Sequence, residues 1–315
     1  MKFSRQTTLR LPVSVTGIGV HSGQPATLTL SPADANTGIV FIRTNLEGPD
    51  REIAVRPEAV IATDFATVLG DKNGPLVSTA EHVLAALRGM GVDNATVEVD
   101  GPEAPIMDGS AAPFVAAIDQ AGVVELDAPR RYIEILKTVQ VVSGRASGEL
   151  RPYASGFRAE LEIAFDNPMI GSQAFALEVT PQSFRKDVCR ARTFGCMADS
   201  ARLWSAGYAR GSSFENTIVV DDDRILNPEG LRYADEFVRH KVLDAIGDLA
   251  VAGLPILGAY RSVRGGHKLN HAVLSALLAD RSAWRIVEAE RPRRVRGHVE
   301  AVGGLAAPAY GPDVS

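Results

Sequence analysis

The sequence predicts an α+β protein built from two halves that have the same order of elements. Three observations carry this prediction. Strand patterns are grouped ahead of helix patterns, the grouped order occurs twice along the chain, and 315 residues with 45% hydrophobic side chains can form two cores.

In the first half, alternating apolar and polar residues predict strands, and apolar residues spaced by three or four positions predict helices. The strands cover residues 6–15, 26–30, 38–43 and 95–99, and the helices cover residues 79–90 and 112–121. The second half repeats the order, with strands at 132–142, 149–153, 157–165, 173–178 and 256–263 and helices at 234–252 and 270–279.

The repeat predicts a division of the chain into two domains. We expect the first over 1–127 and the second over 130–285, because Pro129 interrupts the pattern before a new amphipathic strand. Residues 181–220 have no counterpart in the first half, so we expect an insertion there. Residues 286–315 are expected to form a C-terminal tail.

Composition argues against several classes of protein. A net charge of -5 disfavours a nucleic-acid-binding surface, and the one basic run, residues 291–296, is typical of a solvated tail. The spacing of Cys189 and Cys196 fits neither a disulfide framework nor a thiolate metal site. The sequence has no apolar run long enough to span a membrane and no signal-peptide pattern, so we expect a cytoplasmic protein.

Three polar residues recur every four positions in the predicted helix at 234–252, namely His240, Asp244 and Asp248. They share one face of the helix and interrupt an otherwise apolar surface, where a charged group needs a partner. A His and an Asp at this spacing can bind one divalent ion, and the second Asp can support the site from outside the ligand shell. A solvated helix face with an i, i+4 pair explains the same spacing.

The corresponding helix of the first half carries two adjacent polar residues, Glu81 and His82, in an apolar segment. If the halves pack face to face, His82 can reach the same ion and complete a His2Asp site with an open fourth position, as in catalytic zinc sites. Glu81 would then be placed to act as a general base. Alternatively, both residues cap the helix start near Ser78 and Thr79.

Two glycine-rich loops carry further histidines. Residues 264–271 lead into a helix and present His267, which can protonate a leaving group. Residues 17–23 have glycines that suggest a dinucleotide-binding turn, but the third glycine is one position late and a strand follows. His21 in this loop is either a phosphate contact or a surface histidine.

Six motifs, in this order, give the chain a specific resemblance. They are GVHSG (19–23), STAEH (78–82), PIMDGSA (105–111), ARTFG (191–195), FVRHKVLDAIGDL (237–249) and GGHKLN (265–270). Together they resemble the UDP-3-O-acyl-N-acetylglucosamine deacetylase family of lipid A biosynthesis, over most of the chain. The resemblance implies two domains of similar topology, each a β-sheet with two helices, with the helices sandwiched between the two sheets.

The resemblance also implies a metal site and its catalytic groups. It implies one Zn²⁺ per chain, with the ligands His82, His240 and Asp244. Glu81 falls on the family's general base. His267 falls on its cationic histidine, with Asp248 as the carboxylate partner.

Five further positions match substrate contacts of the family. Lys241 and Thr193 correspond to residues near the scissile amide. Phe194 and the insertion around it correspond to the passage for the acyl chain. His21 and Phe165 correspond to positions near the nucleotide.

The predicted activity is zinc-dependent hydrolysis of the N-acetyl group of UDP-3-O-((3R)-3-hydroxyacyl)-N-acetylglucosamine, which yields acetate and the free amine. Ser212 stands where the family more often has glycine, which leaves acyl-chain preference open. The alternatives are a deacetylase of another acylated amino sugar and a binding protein for UDP-sugar lipids without turnover. We expect a monomer with a small-molecule substrate, no nucleic-acid partner and at most peripheral membrane contact.

Overall fold

The computed structural model describes residues 4–48, 51–71 and 73–289. The first half contains strands β1 (Arg5–Leu9), β2 (Val13–Ile18), β3 (Pro25–Pro32), β4 (Ile39–Arg43), β5 (Glu52–Ala54), β6 (Val60–Ala62), β7 (Val68–Gly70), β8 (Leu76–Val77), β9 (Ala95–Val99) and β10 (Val123–Pro129), and helices α1 (Glu81–Met90) and α2 (Ala112–Ala121).

The second half contains strands β11 (Arg131–Ile135), β12 (Val139–Ser143), β13 (Ala146–Arg151), β14 (Phe157–Ala164), β15 (Ser172–Glu178), β16 (Phe194–Cys196), β17 (Ile218–Val220), β18 (Ile256–Val263) and β19 (Trp284–Glu288). Its helices are α3 (Pro181–Asp187), α4 (Ser200–Ser205), α5 (Glu236–Ala250) and α6 (His267–Ala279). This mixture of sheets and helices confirms the predicted α+β class.

The two main sheets share one topology. The first has the order β2-β3-β9-β4-β5, with β9 antiparallel to β3 and parallel to β4. In the second, β12-β13-β18-β14-β15 follow the same order, with β18 antiparallel to β13 and parallel to β14. Strands β11 and β19 extend the second sheet to seven strands, because the first two residues of β18 pair with β11.

Three helices pack on the two main sheets, and a fourth joins them. Helix α2 packs against β2, α5 packs against β14 and β15, and α6 packs against β12 and β13. Helices α1 and α5 pack against each other and so join the halves. Each sheet buries one face; in β3, for example, Ala26, Leu28 and Leu30 are buried and alternate with more exposed residues. One hydrophobic cluster runs across both halves.

Two predicted strands are each two strands in the structure. The strand predicted at 6–15 is divided at residues 10–12, where Pro12 has no N–H to donate, and β1 pairs with β10 while β2 pairs with β3. The strand predicted at 132–142 is β11 followed by β12, which pair with different neighbours. The alternation of apolar and polar residues continues where the chain changes its partner strand. The pattern therefore could not show that each predicted strand is two strands.

Other segments contain elements that the sequence did not predict. Strands β6, β7 and β8 form a small sheet between β5 and α1. Within residues 181–220, β16 and β17 pair in parallel and are connected through α4. Helix α6 begins at His267, three residues before the predicted start. Strand β19 takes residues 286–288 of the predicted tail into the second sheet, and the tail beyond residue 289 lies outside the described residues.

Candidate metal centre and substrate cavity

A cluster of possible metal ligands lies where α1 meets α5. It consists of His82 at the start of α1 and of His240 and Asp244, one turn apart on α5. Asp244 Oδ1 lies 3.6 Å from His82 Nε2 and 3.2 Å from His240 Nε2. All three residues are buried, so the sequence-based alternative of a solvated helix face is wrong.

The orientation of His240 suits a metal ligand. Its Nδ1 lies 3.0 Å from the carbonyl oxygen of Ala191, so Nδ1 carries the proton and Nε2 presents its lone pair to the cluster. Burial lowers the pKa of His240 to about 3, which keeps the ring neutral. Arg192, next to Ala191, donates hydrogen bonds from its backbone N–H and its guanidinium to buried Glu236, which lies one turn before His240 on α5. This ion pair holds the Ala191–Arg192 segment against α5.

The two oxygens of the Asp244 carboxylate have different surroundings. Oδ2 accepts a hydrogen bond of 2.8 Å from Lys241 Nζ, whereas the buried Oδ1 has no hydrogen-bond partner in the described part of the chain. Burial acts to raise the pKa of Asp244, but His240 and Lys241 outweigh it and hold the pKa well below its usual value. An ionised, unpartnered oxygen beside two imidazole nitrogens fits a divalent cation, which would compensate the buried charge.

A glycine lets the two helices approach closely enough to form this cluster. A Cβ on Gly247 would lie 2.0 Å from the carbonyl oxygen of Glu81, far inside van der Waals contact. The backbone of α5 therefore touches the first turn of α1. This contact places Glu81 and His82 opposite the polar face of α5.

Glu81 is buried within the site and does not cap its helix. Helix α1 has no side-chain cap, so the capping interpretation of Glu81 and His82 is wrong. Glu81 Oε2 accepts a 3.0 Å hydrogen bond from the backbone N–H of Thr67. Burial raises the pKa of Glu81, although His267 and His82 act in the opposite direction. Such a carboxylate can exchange a proton closer to neutral pH than an exposed one.

Asp248 and His267 form a second charged pair beside Glu81. His267 Nδ1 lies 2.8 Å from Asp248 Oδ2, and His267 Nε2 lies 4.0 Å from Glu81 Oε1. Asp248 also accepts hydrogen bonds from Thr67 Oγ1 at 2.6 Å and Asn270 Nδ2 at 2.7 Å. Burial acts to lower the pKa of His267, but the Asp248 carboxylate raises it to about 10. The imidazolium is therefore the form present at neutral pH.

The cluster opens into a cavity of about 440 Å³. Of the residues predicted for the site, five line this cavity: His21, Glu81, His82, Thr193 and Phe194. Phe165 lies at the side, 41% exposed, with its ring centroid 5.7 Å from that of Phe194. Lys241 Nζ lies 5.5 Å from the centre of the Phe194 ring. Ser212 lines the cavity and donates a 2.8 Å hydrogen bond to Thr217 Oγ1.

The loop that carries His21 is held by a buried carboxylate. Glu103 accepts hydrogen bonds from the backbone N–H groups of His21 and Ser22 and from Thr79 Oγ1. A Cβ at Gly19 would lie 2.1 Å from Glu103 Oε2, so glycine makes room for this carboxylate. The loop connects two strands of a hairpin, which confirms that it is not a dinucleotide-binding turn.

Three residues of the site were not assigned a role from sequence. Thr67 and Glu103 lie in loops without a recognisable pattern, and only the fold brings them to Glu81, Asp248 and the loop of His21. Asn270 lies inside the GGHKLN motif, and that motif was the one signal that could have indicated it.

The fold and the cluster define a class of protein. A buried His-His-Asp group with an adjacent buried carboxylate and a cationic histidine, at the floor of a cavity, is the arrangement of a metal-dependent hydrolase. The family model of LpxC, UDP-3-O-acyl N-acetylglycosamine deacetylase, matches residues 6–279. The chain belongs to this family.

Relatives in two genera support the same assignment. A UDP-3-O-acyl-N-acetylglucosamine deacetylase of Brucella ovis is 50% identical over 285 residues, which cover 90% of this chain and 99% of the relative. A protein of the same name from Phenylobacterium zucineum is 52% identical over 281 residues, or 89% and 96% of the two chains. Among the described residues, no helix is both long enough and apolar enough to cross a membrane.

Proposed function

We propose that this protein removes the N-acetyl group of UDP-3-O-((3R)-3-hydroxyacyl)-N-acetylglucosamine, releasing acetate and the free amine in lipid A biosynthesis. Membership of the deacetylase family and the names of relatives at 50% and 52% identity support the substrate class. The observation that carries the chemistry is the buried His82, His240 and Asp244 cluster, which lies next to Glu81.

We propose Zn²⁺ as the metal, one per chain, held by His82, His240 and Asp244. Two neutral imidazoles and one carboxylate are a donor set that zinc prefers, and three protein ligands leave a position for catalysis. When bound, the ion supplies Lewis acidity, which lowers the pKa of water and polarises an amide carbonyl.

Glu81 is the proposed general base. Its carboxylate lines the cavity beside the ligands and can accept the proton of the attacking water. The Thr67 N–H bonds one oxygen of Glu81, and this bond orients the carboxylate. After attack, the same carboxylate can return the proton to the departing amine.

His267 is the proposed cationic group that faces the developing oxyanion. Its positive charge is maintained by Asp248, and preorganised charge of this kind lowers a barrier by about 3 kcal/mol in comparable sites. The Thr193 hydroxyl and Lys241 are proposed as further contacts near the scissile amide. Either His267 or Glu81 can deliver the proton to the amine.

The aromatic wall of the cavity supports the proposal of a substrate with an apolar chain. Phe194 forms part of its wall next to Phe165 and Phe237. We propose that the acyl chain passes Phe194 and that the nucleotide lies near His21 and Phe165. Ser212 adds a hydroxyl to the cavity wall, which favours, as a second candidate, a deacetylase for a different acylated amino sugar. Cytoplasmic location, a monomeric state and peripheral membrane contact stay predictions.

The decisive experiment measures acetate release from the proposed substrate by the purified protein. The protein is assayed as isolated, after chelation, and after one equivalent of Zn²⁺ is restored. We expect turnover that chelation abolishes and zinc restores. Absence of turnover with metal bound contradicts the proposal and favours another acylated sugar or a binding role.

A further inference from the structure

Thr67 lies between the two carboxylates that the proposed reaction uses. It directly precedes β7, in a loop that turns at Phe65, whose φ of 63° lies in the left-handed region. Phe65 is half exposed, whereas Thr67 is only 2% exposed. The turn therefore directs Thr67 inwards, whereas Phe65 lines the cavity.

Thr67 donates one hydrogen bond to each of the two carboxylates, Glu81 and Asp248. Its backbone N–H donates to Glu81 Oε2 at 3.0 Å, and its hydroxyl donates to Asp248 Oδ1 at 2.6 Å. The Thr67 carbonyl accepts a bond from the N–H of Ala80, next to Glu81. Among the hydrogen bonds of the described residues, Thr67 is the one residue that bonds both carboxylates.

We propose that Thr67 is a positioning residue that fixes the general base Glu81 relative to the Asp248–His267 pair. This inference rests on the proposed function. Glu81 lies on α1 and Asp248 lies on α5, so the two carboxylates are far apart along the chain. Thr67 provides a local link between the two carboxylates, which lie on either side of the 4.0 Å separation between His267 Nε2 and Glu81 Oε1.

The hydroxyl of Thr67 acts as a donor toward Asp248. An ionised carboxylate only accepts, so the Thr67 proton points at Asp248 Oδ1 and helps to fix the orientation of the carboxylate. The branched Cβ restricts χ1 and holds the hydroxyl in place. Without this bond, Asp248 keeps Asn270 and His267 as donors but can turn toward them. A displacement of about 1 Å at His267 is enough to lower a rate about 100-fold.

The test replaces Thr67 by Val, Ser and Cys. Val keeps the shape and removes the hydroxyl, Ser keeps a strong donor, and Cys keeps a weak one. We expect Thr67→Val to lower kcat for acetate release about tenfold or more with KM within about twofold, because the bond to a charged group is lost. Thr67→Ser should restore most of kcat, and Thr67→Cys should lie between.

Thr7→Val is the matched control. Thr7 is also a buried threonine, on β1, and its hydroxyl donates to the carbonyl oxygen of Gly91, away from the proposed active site. This variant should lower the free energy of unfolding and leave kcat unchanged. Equal kcat values for the Ser, Cys and Val variants of Thr67 overturn the proposal, and the Ser and Cys variants still decide it if Val fails to fold.

A spectroscopic measurement separates this inference from the proposed function. In protein with ¹⁵N-labelled histidine, the Nδ1–H proton of His267 reports the hydrogen bond to Asp248. We expect its resonance to move in Thr67→Val and to return toward the wild-type position in Thr67→Ser. If the wild type releases no acetate, the proposed function fails while this measurement still tests the coupling. An unmoved resonance in Thr67→Val overturns it.

Discussion

The two halves have the same sheet topology and contribute unequally to the site. Strands β9 and β18 occupy the same place in their sheets, each with one antiparallel and one parallel neighbour. Each is preceded by a helix and followed by another. Yet α5 and the start of α6 carry His240, Asp244, Asp248 and His267, whereas the start of α2 carries no titratable side chain in its first turn.

The first half contributes from a different kind of position, at the start of α1 and in nearby loops. Glu81 and His82 lie on the first turn of α1, and Thr67 and His21 lie in loops beside it. The comparison shows that the repeated topology positions the helices but does not by itself create the site. The site forms only at the contact between α1 and α5. Within the described part of the chain, neither half contains a complete set of ligands and proton-transfer groups.

The largest effect should come from removing the base that the first half supplies. Glu81→Gln keeps the size of the side chain and its bond from Thr67, but removes the proton acceptor. We expect kcat/KM for acetate release to fall by about 10²–10⁴-fold, the range typical of general-base catalysis. Metal content, measured by atomic absorption, should be unchanged. A variant that loses both metal and activity would show that Glu81 maintains the cluster instead.

His267→Gln removes the cation that the second half supplies, and we expect about a 100-fold loss in kcat.

The pKa of His267 is raised to about 10, so it is protonated below that pH and loses its charge above it. Activity should need Glu81 ionised and His267 protonated, which gives a bell-shaped pH profile. The acidic limb should lie above the ordinary carboxylate range, because burial raises the pKa of Glu81.

The pH profile of kcat/KM for the His267→Gln variant tests this assignment. The basic limb should flatten or move, because glutamine at position 267 has no proton to lose in this pH range. Full activity with an unchanged basic limb would show that His267 has no part in the reaction.

Two glycine substitutions test the contact between the halves. In Gly247→Ala the new Cβ meets the backbone of Glu81, which cannot move without displacing α1. We expect a loss of about 3 kcal/mol or more in the free energy of unfolding, together with weaker zinc binding and severalfold lower kcat. In Gly89→Ala the Cβ meets the ring of Phe184, 2.4 Å away, near the other end of α1.

Gly89→Ala should therefore lower stability and leave zinc affinity unchanged. Denaturant unfolding and competition for zinc with a chromophoric chelator measure the two quantities. Equal zinc affinities in both variants would mean that the cluster tolerates displacement of α1 from α5.

Phe165→Ala should have the smallest effect. Phe165 is 41% exposed and contacts the cavity wall through Phe194, so its removal loses an aromatic contact worth about 1 kcal/mol. We expect KM to rise about fivefold with kcat and Tm nearly unchanged. Steady-state kinetics with substrates of different chain length measure this, and a fall in kcat with constant KM would place Phe165 closer to the chemistry.

Element type was predictable wherever a periodic pattern was long. The strands at 95–99 and 256–263 and the helix at 112–121 were predicted to the residue. The short strands β6, β7 and β8 were missed, because two or three residues cannot display a period. This matters for the site, since Thr67 lies between β6 and β7.

The sequence by itself determined the α+β class, the repeated order of elements and the spacing of His240, Asp244 and Asp248 on one helix face, because these are properties of local periodicity. Motif order was enough to indicate the deacetylase family. Local periodicity cannot show which helices meet. Only the tertiary structure brought His82 beside Asp244, through the close approach at Gly247, and placed Thr67 between Glu81 and Asp248.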